Sequence, residues 1–257
     1  MLMNTRIRRI QTVPYQKVSS IYDEIMQHVE YDHWARYIEK IIESHLKLPV
    51  RLLDVGCGTG QFIYEIKKLG FAANGCDPSM AMLKMARKKN PGTYFWIDRL
   101  PELKLVRPAA FAVITCLYDT INYLPSLPII LDALKRVYSL LPTGGLFIFD
   151  VVSDNLCQNC FRDDIENEVI DSKYAYQRRS FFDAESHQQI TEFTVYTSRG
   201  IFEERHIQYI YSFADIAHLI RNKTAFDLRA VYQDFTFFEV NEGSERAHFV
   251  LKKNQNL

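Results

Sequence analysis

The chain has no surplus of either charge. Lys plus Arg and Asp plus Glu each number 31, giving a formal net charge of zero. Phosphate backbones are bound by clustered Lys and Arg that release counterions, so this balance argues against nucleic acid as a partner. The short run Arg6, Arg8, Arg9 reads as a solvated N-terminal arm. Long hydrophobic runs are also missing. Nothing approaches the roughly 18 consecutive apolar residues of a membrane span, and Met1 to Gln11 lack the apolar stretch of a signal peptide. A cytoplasmic protein without a membrane partner is expected. Cysteine is sparse and odd in number, five in all. Cys57, Cys76 and Cys116 fall in or beside expected buried strand ends, which speaks against a disulfide framework. Cys157 and Cys160 form a C-x2-C pair without the second pair or the histidines that zinc needs, so no metal is expected.

What is present is apolar content, 47% of 257 residues, enough for one large domain carrying an insertion. Val18, Ile21, Tyr22, Ile25 and Val29 recur at helical steps, as do Trp34, Ile38, Ile41 and Ile42, predicting two helices between Tyr15 and Leu48. Short β-type runs follow at Val50 to Val55, Phe71 to Cys76, Thr93 to Ile97, Phe111 to Cys116 and Leu146 to Val151. Helices are expected between them at Gln61 to Leu69, Ser79 to Lys89 with Ser79 as N-cap, and Ile129 to Leu141. Such alternation predicts a doubly wound α/β fold with a mostly parallel sheet. Residues 172 to 211 are rich in aromatic and β-branched residues with polar ones interleaved, as antiparallel strands are. A helix at Phe213 to Arg221 and strands near Phe226 to Asp234 and Glu245 to Lys252 complete the chain before a frayed tail. The division expected is a cap over 1–48, an α/β domain over 49–151 and 212–257, and a β-rich insertion over 152–211.

The chemistry is concentrated in LLDVGCGTG at 52 to 60, where an apolar run delivers Asp54 and then Gly56, Gly58 and Gly60 ahead of a helix. Glycines there let a ligand lie against the backbone at the carboxyl end of a strand. A dinucleotide fingerprint G-x-G-x-x-G needs a further glycine at position 61, which is Gln61, and the Gly-Lys-Ser/Thr ending of a P-loop is absent. A cofactor without phosphates, with a zwitterionic amino-acid end, fits better. Asp77 ends the next strand, about 23 residues after Asp54, where a carboxylate can accept from both hydroxyls of a free ribose.

Together with GCDPSMAMLKMARKK at 75 to 89, IDRLPEL at 97 to 103, FAVITCLYDTINYL at 111 to 124 and LPTGGLFIFDV at 141 to 151, this run resembles the successive motifs of class I S-adenosylmethionine-dependent methyltransferases. The stretches 15 to 38, 202 to 211 and 244 to 253 are similar to bacterial enzymes related to sugar-amine N-methyltransferases, in which an N-terminal cap and a β insertion enclose the acceptor. The resemblance implies a seven-stranded Rossmann-like sheet and S-adenosylmethionine as cofactor. Asp54, Gly56, Cys57, Gly58 and Gly60 would surround its methionine end. Asp77 beside Pro78 would hold the ribose, Met82 would line the adenine, Asp98 would meet the adenine amino group, and Leu117 and Tyr22 would pack near the cofactor.

Methyl transfer from a sulfonium asks the protein mainly for alignment and a dry site, with an outlet for the acceptor's proton. Period-2 alternation through Ile201 to Tyr211 puts Phe202, Glu204, His206, Gln208 and Ile210 on one face, and Glu204 and His206 with Tyr15 are the candidates for proton handling. A solvated outer face and helix packing explain the same residues blandly. Asn122, Tyr123 and Gln208 are expected on the acceptor side, and Tyr15 and Tyr22 on a lid. No Asp/Asn-Pro-Pro-Tyr/Phe run is present, since Asn122 precedes Tyr123-Leu124-Pro125, and no Pro-Cys pair is present either. A small-molecule acceptor methylated on nitrogen or oxygen is the first expectation. An RNA or protein acceptor and a catalytically silent binder are the alternatives, and a homodimer stays open as the assembly. An NAD(P)-linked oxidoreductase fails on the glycine spacing and on the absent Tyr-x-x-x-Lys pattern.

Overall fold

The computed structural model describes residues 8–160 and 163–254, so Arg6 and the last residues of the tail lie outside the described residues, as does the side chain of Cys160. In chain order the elements are β1 (Arg9–Gln11), a 3-10 turn (Val18–Ser20), α1 (Tyr22–Ile25), α2 (Tyr31–Glu43), β2 (Arg51–Val55), α3 (Gln61–Lys68), β3 (Ala72–Asp77), α4 (Met80–Lys89), β4 (Phe95–Ile97), β5 (Val113–Cys116), a 3-10 turn (Thr120–Tyr123), α5 (Leu127–Leu140), β6 (Leu146–Val152), α6 (Asp154–Cys160), β7 (Asp164–Val169), β8 (Tyr174–Asp183), β9 (Gln188–Thr197), β10 (Gly200–Tyr209), α7 (Phe213–Lys223), β11 (Phe226–Gln233) and β12 (Arg246–Lys253).

A seven-stranded sheet runs in the order β11-β12-β6-β5-β2-β3-β4, parallel from β6 to β4, with β12 antiparallel to both its neighbours. Every residue of β5 and β6 is buried, as strands covered on both faces must be. On one face Ala133, Leu134 and Val137 of α5 pack with Ile216 and Ile220 of α7. On the other, Phe62, Ile63 and Ile66 of α3 pack with Leu83 of α4 and with Trp34, Ile38, Ile41 and Ile42 of α2. The apolar stripe of α2 therefore places that helix in the layer against the sheet and not in a separate cap. Chain order reverses between β2 and β5, and ligand crevices of open α/β sheets form at that point, outside the carboxyl ends of the strands.

A second sheet, in the order β1-β10-β9-β8-β7, stands over that crevice. Two of its strands differ from the sequence reading. Arg9–Gln11 pairs in parallel with Ile201–Glu203, so Arg9 belongs to an edge strand and not to a loose arm. β7, a polar DIENEV run without apolar periodicity, is a strand because β8 pairs with it from Asp164↔Ser180 to Val169↔Ala175. The helix expected from Val18 to Val29 is broken into a 3-10 turn and a four-residue α1. Two causes are visible: Ser19 and Ser20 hydroxyls donate back to Gln16 O (3.2 Å) and Lys17 O (2.8 Å), and the Lys17 and Val18 amides donate to Glu204. Among the described residues no helix is long and apolar enough to cross a membrane.

Candidate active site

The reversals after β2, β3 and β5 form one wall of a cavity of about 1440 Å³, and the inner face of the second sheet, with residues 13–34, forms the other. Single-ligand pockets run to about 300–1,000 Å³, so this space suits two molecules side by side.

On the cofactor wall, Gly56 has φ +75, and a Cβ there would collide with the Thr120 side chain, so glycine is required for β2 to turn beneath the loop after β5. At Gly58, φ is +53 and a Cβ would meet nothing within 4 Å, which leaves that backbone open to a ligand. Asp54 accepts from the Thr115 hydroxyl at 2.7 Å, and burial pushes its carboxyl up to about 7. Asp77 accepts from Gly58 N at 3.0 Å and Ser79 N at 2.7 Å, yet burial still raises it to about 6. Two buried carboxyls held above the ordinary range, one fixed against the glycine loop itself, are suited to a partner bringing positive charge and hydroxyl donors, as a methionine ammonium and a ribose do. The residues present thus fit S-adenosylmethionine. Pro78, Met82, Leu117 and Cys57 line the same cavity, and Ser79 caps α4 by accepting from Met82 N at 3.2 Å.

On the facing wall, Glu204 and His206 are both buried on β10; His206 lines the cavity, while Glu204 supports it without being among the lining residues. His206 Nδ1 lies 3.1 Å from the Tyr123 hydroxyl, which lies 2.6 Å from the Tyr15 hydroxyl. His206 Nε2 stands 3.5 Å from Glu204 Oε2, an ion-pair distance, while Glu204 Oε1 accepts from the Lys17 and Val18 amides and from the Thr12 hydroxyl. Burial alone would raise the Glu204 carboxyl, but His206 and these amides hold it below the ordinary glutamate range. An ionised Glu204 favours the proton on Nε2 and leaves the Nδ1 lone pair for Tyr123. The structure therefore brings together Tyr15, Tyr123, His206 and Glu204, with Tyr22 edge-on to Tyr15 at 5.8 Å. Gln208, two residues on, donates to Asp119 Oδ2 at 2.5 Å.

Besides Glu204, three expected site residues lie off the cavity lining. Asp98 spends its carboxylate on the amides of Arg99, Lys104 and Leu105 and is not among the cavity's lining residues, because its strand ends in a loop that needs those donors bound. Gly60 is the N-cap of α3 with φ +75, where a Cβ would press on Asn90 and Ala86, so it serves helix packing. Asn122 is fully buried, donating to Tyr209 O at 2.9 Å and accepting from Val152 N at 3.4 Å, which ties the loop after β5 to both sheets and away from the cavity.

The residues missed from sequence are Tyr118, Asp119, Asp150 and Arg246. Arg246 Nη1 is shared between Asp150 and Asp119 (3.0 Å to the latter), and its guanidinium lies over the rings of Trp34 and Tyr118 at 5.4 and 5.3 Å. Asp119 N donates to Asp150 at 2.9 Å. For Tyr118 and Asp119 a signal existed, their place just after a buried strand in the crevice. For Arg246, at the start of the last strand, the signal was its place in the stretch 244 to 253, which does not single it out.

A family model described as a methyltransferase domain matches residues 22–222. The Bacillus subtilis protein YqeM is 29% identical over 250 residues, spanning 95% of this chain and 98% of its own length. A crystal structure of an S-adenosylmethionine-dependent methyltransferase from Clostridium acetobutylicum superposes with a TM-score of 0.77 at 22% identity, covering 93% of this chain and 98% of that one. The sugar N-methyltransferase KedS8 from Streptoalloteichus gives 0.75 at 17% identity, covering 93% and 94%.

Proposed function

We propose that this chain, which belongs to the methyltransferase-domain family and is an S-adenosylmethionine-dependent methyltransferase, transfers the methyl group to a nitrogen or oxygen of a small acceptor molecule. The observation that carries the reading is the second wall. The second sheet and residues 13–34 stand over the crevice, so the space beside the glycine loop is a deep two-walled cleft and not a flat, basic surface. KedS8, a sugar N-methyltransferase of the same fold, supports an acceptor of this size.

In this reading Asp77 receives the ribose hydroxyls, Asp54 and the loop from Gly56 to Gly58 receive the methionine end, and Met82, Pro78 and Leu117 give the purine an apolar bed. When bound, S-adenosylmethionine supplies a methyl carbon activated by its sulfonium. The protein's part is alignment, exclusion of water, and removal of a proton. That proton passes from the acceptor to Tyr15 or Tyr123, and from the Tyr123 hydroxyl to Nδ1 of His206, whose positive charge Glu204 then faces. Residues 12–30 act as the cover, latched by the two amides on Glu204.

Incubating the purified protein with methyl-labelled S-adenosylmethionine and a bacterial metabolite extract, alongside total RNA and protein fractions, tests the reading. Label should enter a low-molecular-weight product, and label entering RNA or protein alone would reject it.

A further inference from the structure

Transfer to a small molecule leaves nitrogen or oxygen open, and a carboxylate at the reversal after β5 discriminates between them. Asp119 lines the cavity just after β5, in the left-handed backbone region at φ +50, next to Tyr118 at φ +59. Its carboxylate is held by Arg246 on Oδ1 and by Gln208, reaching from β10 on the facing wall, on Oδ2. An ionised carboxylate offers about four lone-pair sites, so it retains acceptor capacity toward the cavity.

Five tyrosines line the same space, Tyr15, Tyr22, Tyr31, Tyr118 and Tyr123. Burial raises the hydroxyl pKa of each, and the Asp119 charge pushes all five the same way. They are therefore neutral hydroxyls in a cavity that also holds a carboxylate. The cations nearby do not reverse the sign. Arg246 is one guanidinium against two carboxylates, Asp119 and Asp150, and Arg178 on the facing wall is paired with Glu166 at 2.7 Å and lies 4.0 Å from Asp164.

We propose that Asp119, which shares the cavity lining with these tyrosines, is a specificity-determining residue that binds the acceptor as a cationic amine. This rests on transfer to a small molecule. Ring faces and a carboxylate both attract an ammonium. One ammonium proton must leave before the nitrogen lone pair is free, and Tyr123 and His206 lie in hydrogen-bonded sequence to take it. A hydroxyl acceptor meets the opposite field: the negative charge that raises the tyrosine hydroxyls would make its deprotonation harder too.

The test uses the protein bound to S-adenosylhomocysteine, so that the cofactor's own ammonium site is filled, and measures dissociation constants for n-butylammonium, n-butanol and butyrate. Butylammonium should bind at least tenfold tighter than butanol, with butyrate weakest. In Asp119→Asn, a residue tolerant of the left-handed region, the ammonium-to-alcohol ratio should fall to within about threefold while S-adenosylhomocysteine affinity changes less than about twofold. An ammonium-to-alcohol ratio near one in the wild type, or butyrate binding tightest, overturns the proposal without any variant. A full ammonium preference persisting in Asp119→Asn overturns the role of Asp119. Failure of the small-molecule reading would appear separately, as label reaching only RNA or protein.

Discussion

His206→Ala is expected to lower turnover by about 10²-fold or more while leaving S-adenosylmethionine affinity within about twofold. The imidazole is buried on β10 behind Tyr123, and its other nitrogen faces Glu204, so it touches no part of the glycine loop or of Asp77. Removing it deletes the proton's destination but not the cofactor's contacts. Tyr123→Phe should behave alike, because it breaks the 2.6 and 3.1 Å links on either side while keeping the ring. Single-turnover rates measured beside calorimetric affinities separate the two effects. Turnover within about threefold of wild type in both variants would mean that the acceptor's proton leaves by another route.

Arg246→Met is expected to give the largest loss of stability of any single change in the site. Asp150 has no exposure and Asp119 little, and both lean on one guanidinium. Deleting one partner of a buried ion pair costs about 3–5 kcal/mol, because the remaining charge stays buried. For a chain of this size that lowers the unfolding midpoint by roughly 6–20 °C. The sign of its pH dependence follows from Asp150, which burial already raises to about 6 even with Arg246 beside it. Without the guanidinium its folded pKa rises further. A carboxyl raised on folding contributes stability below its unfolded pKa of about 3.9 and loses it as pH climbs through the folded value. The deficit of Arg246→Met should therefore be small near pH 5 and large at pH 8, and Asp150→Asn in the same chain should recover much of it. Thermal unfolding at the two pH values reads this directly. A deficit below about 1 kcal/mol, equal at both, would show that the cluster does not hold the loop.

The parallel sheet was legible because each of its strands is a short apolar run closed by a turn signal, and because Gly56, Gly58 and Asp77 form a local pattern tied to backbone geometry. The acceptor wall was half legible. Period-2 alternation placed Glu204, His206 and Gln208 on one face, but what they face depends on the second sheet folding back over the crevice. Elements set by distant partners were not legible. β1 exists because β10 offers an edge, β7 because β8 pairs with it, and the helix expected from Val18 to Val29 is cut where Glu204, far along the chain, takes the Lys17 and Val18 amides. Asp98 shows the limit of carrying a role by position: its place after β4 matches, while its carboxylate is taken by three amides of its own loop.

Calorimetric titration of S-adenosylmethionine into the wild type and into Asp77→Ala tests most directly whether the cofactor lies on the glycine loop. The carboxylate contributes charge-assisted hydrogen bonds of roughly 1.5–3 kcal/mol to a ribose diol, so binding should weaken by about ten- to a hundredfold, and NAD should give no detectable heat with either protein. An affinity within about twofold of wild type in Asp77→Ala, or measurable NAD binding, would contradict the placement of the cofactor.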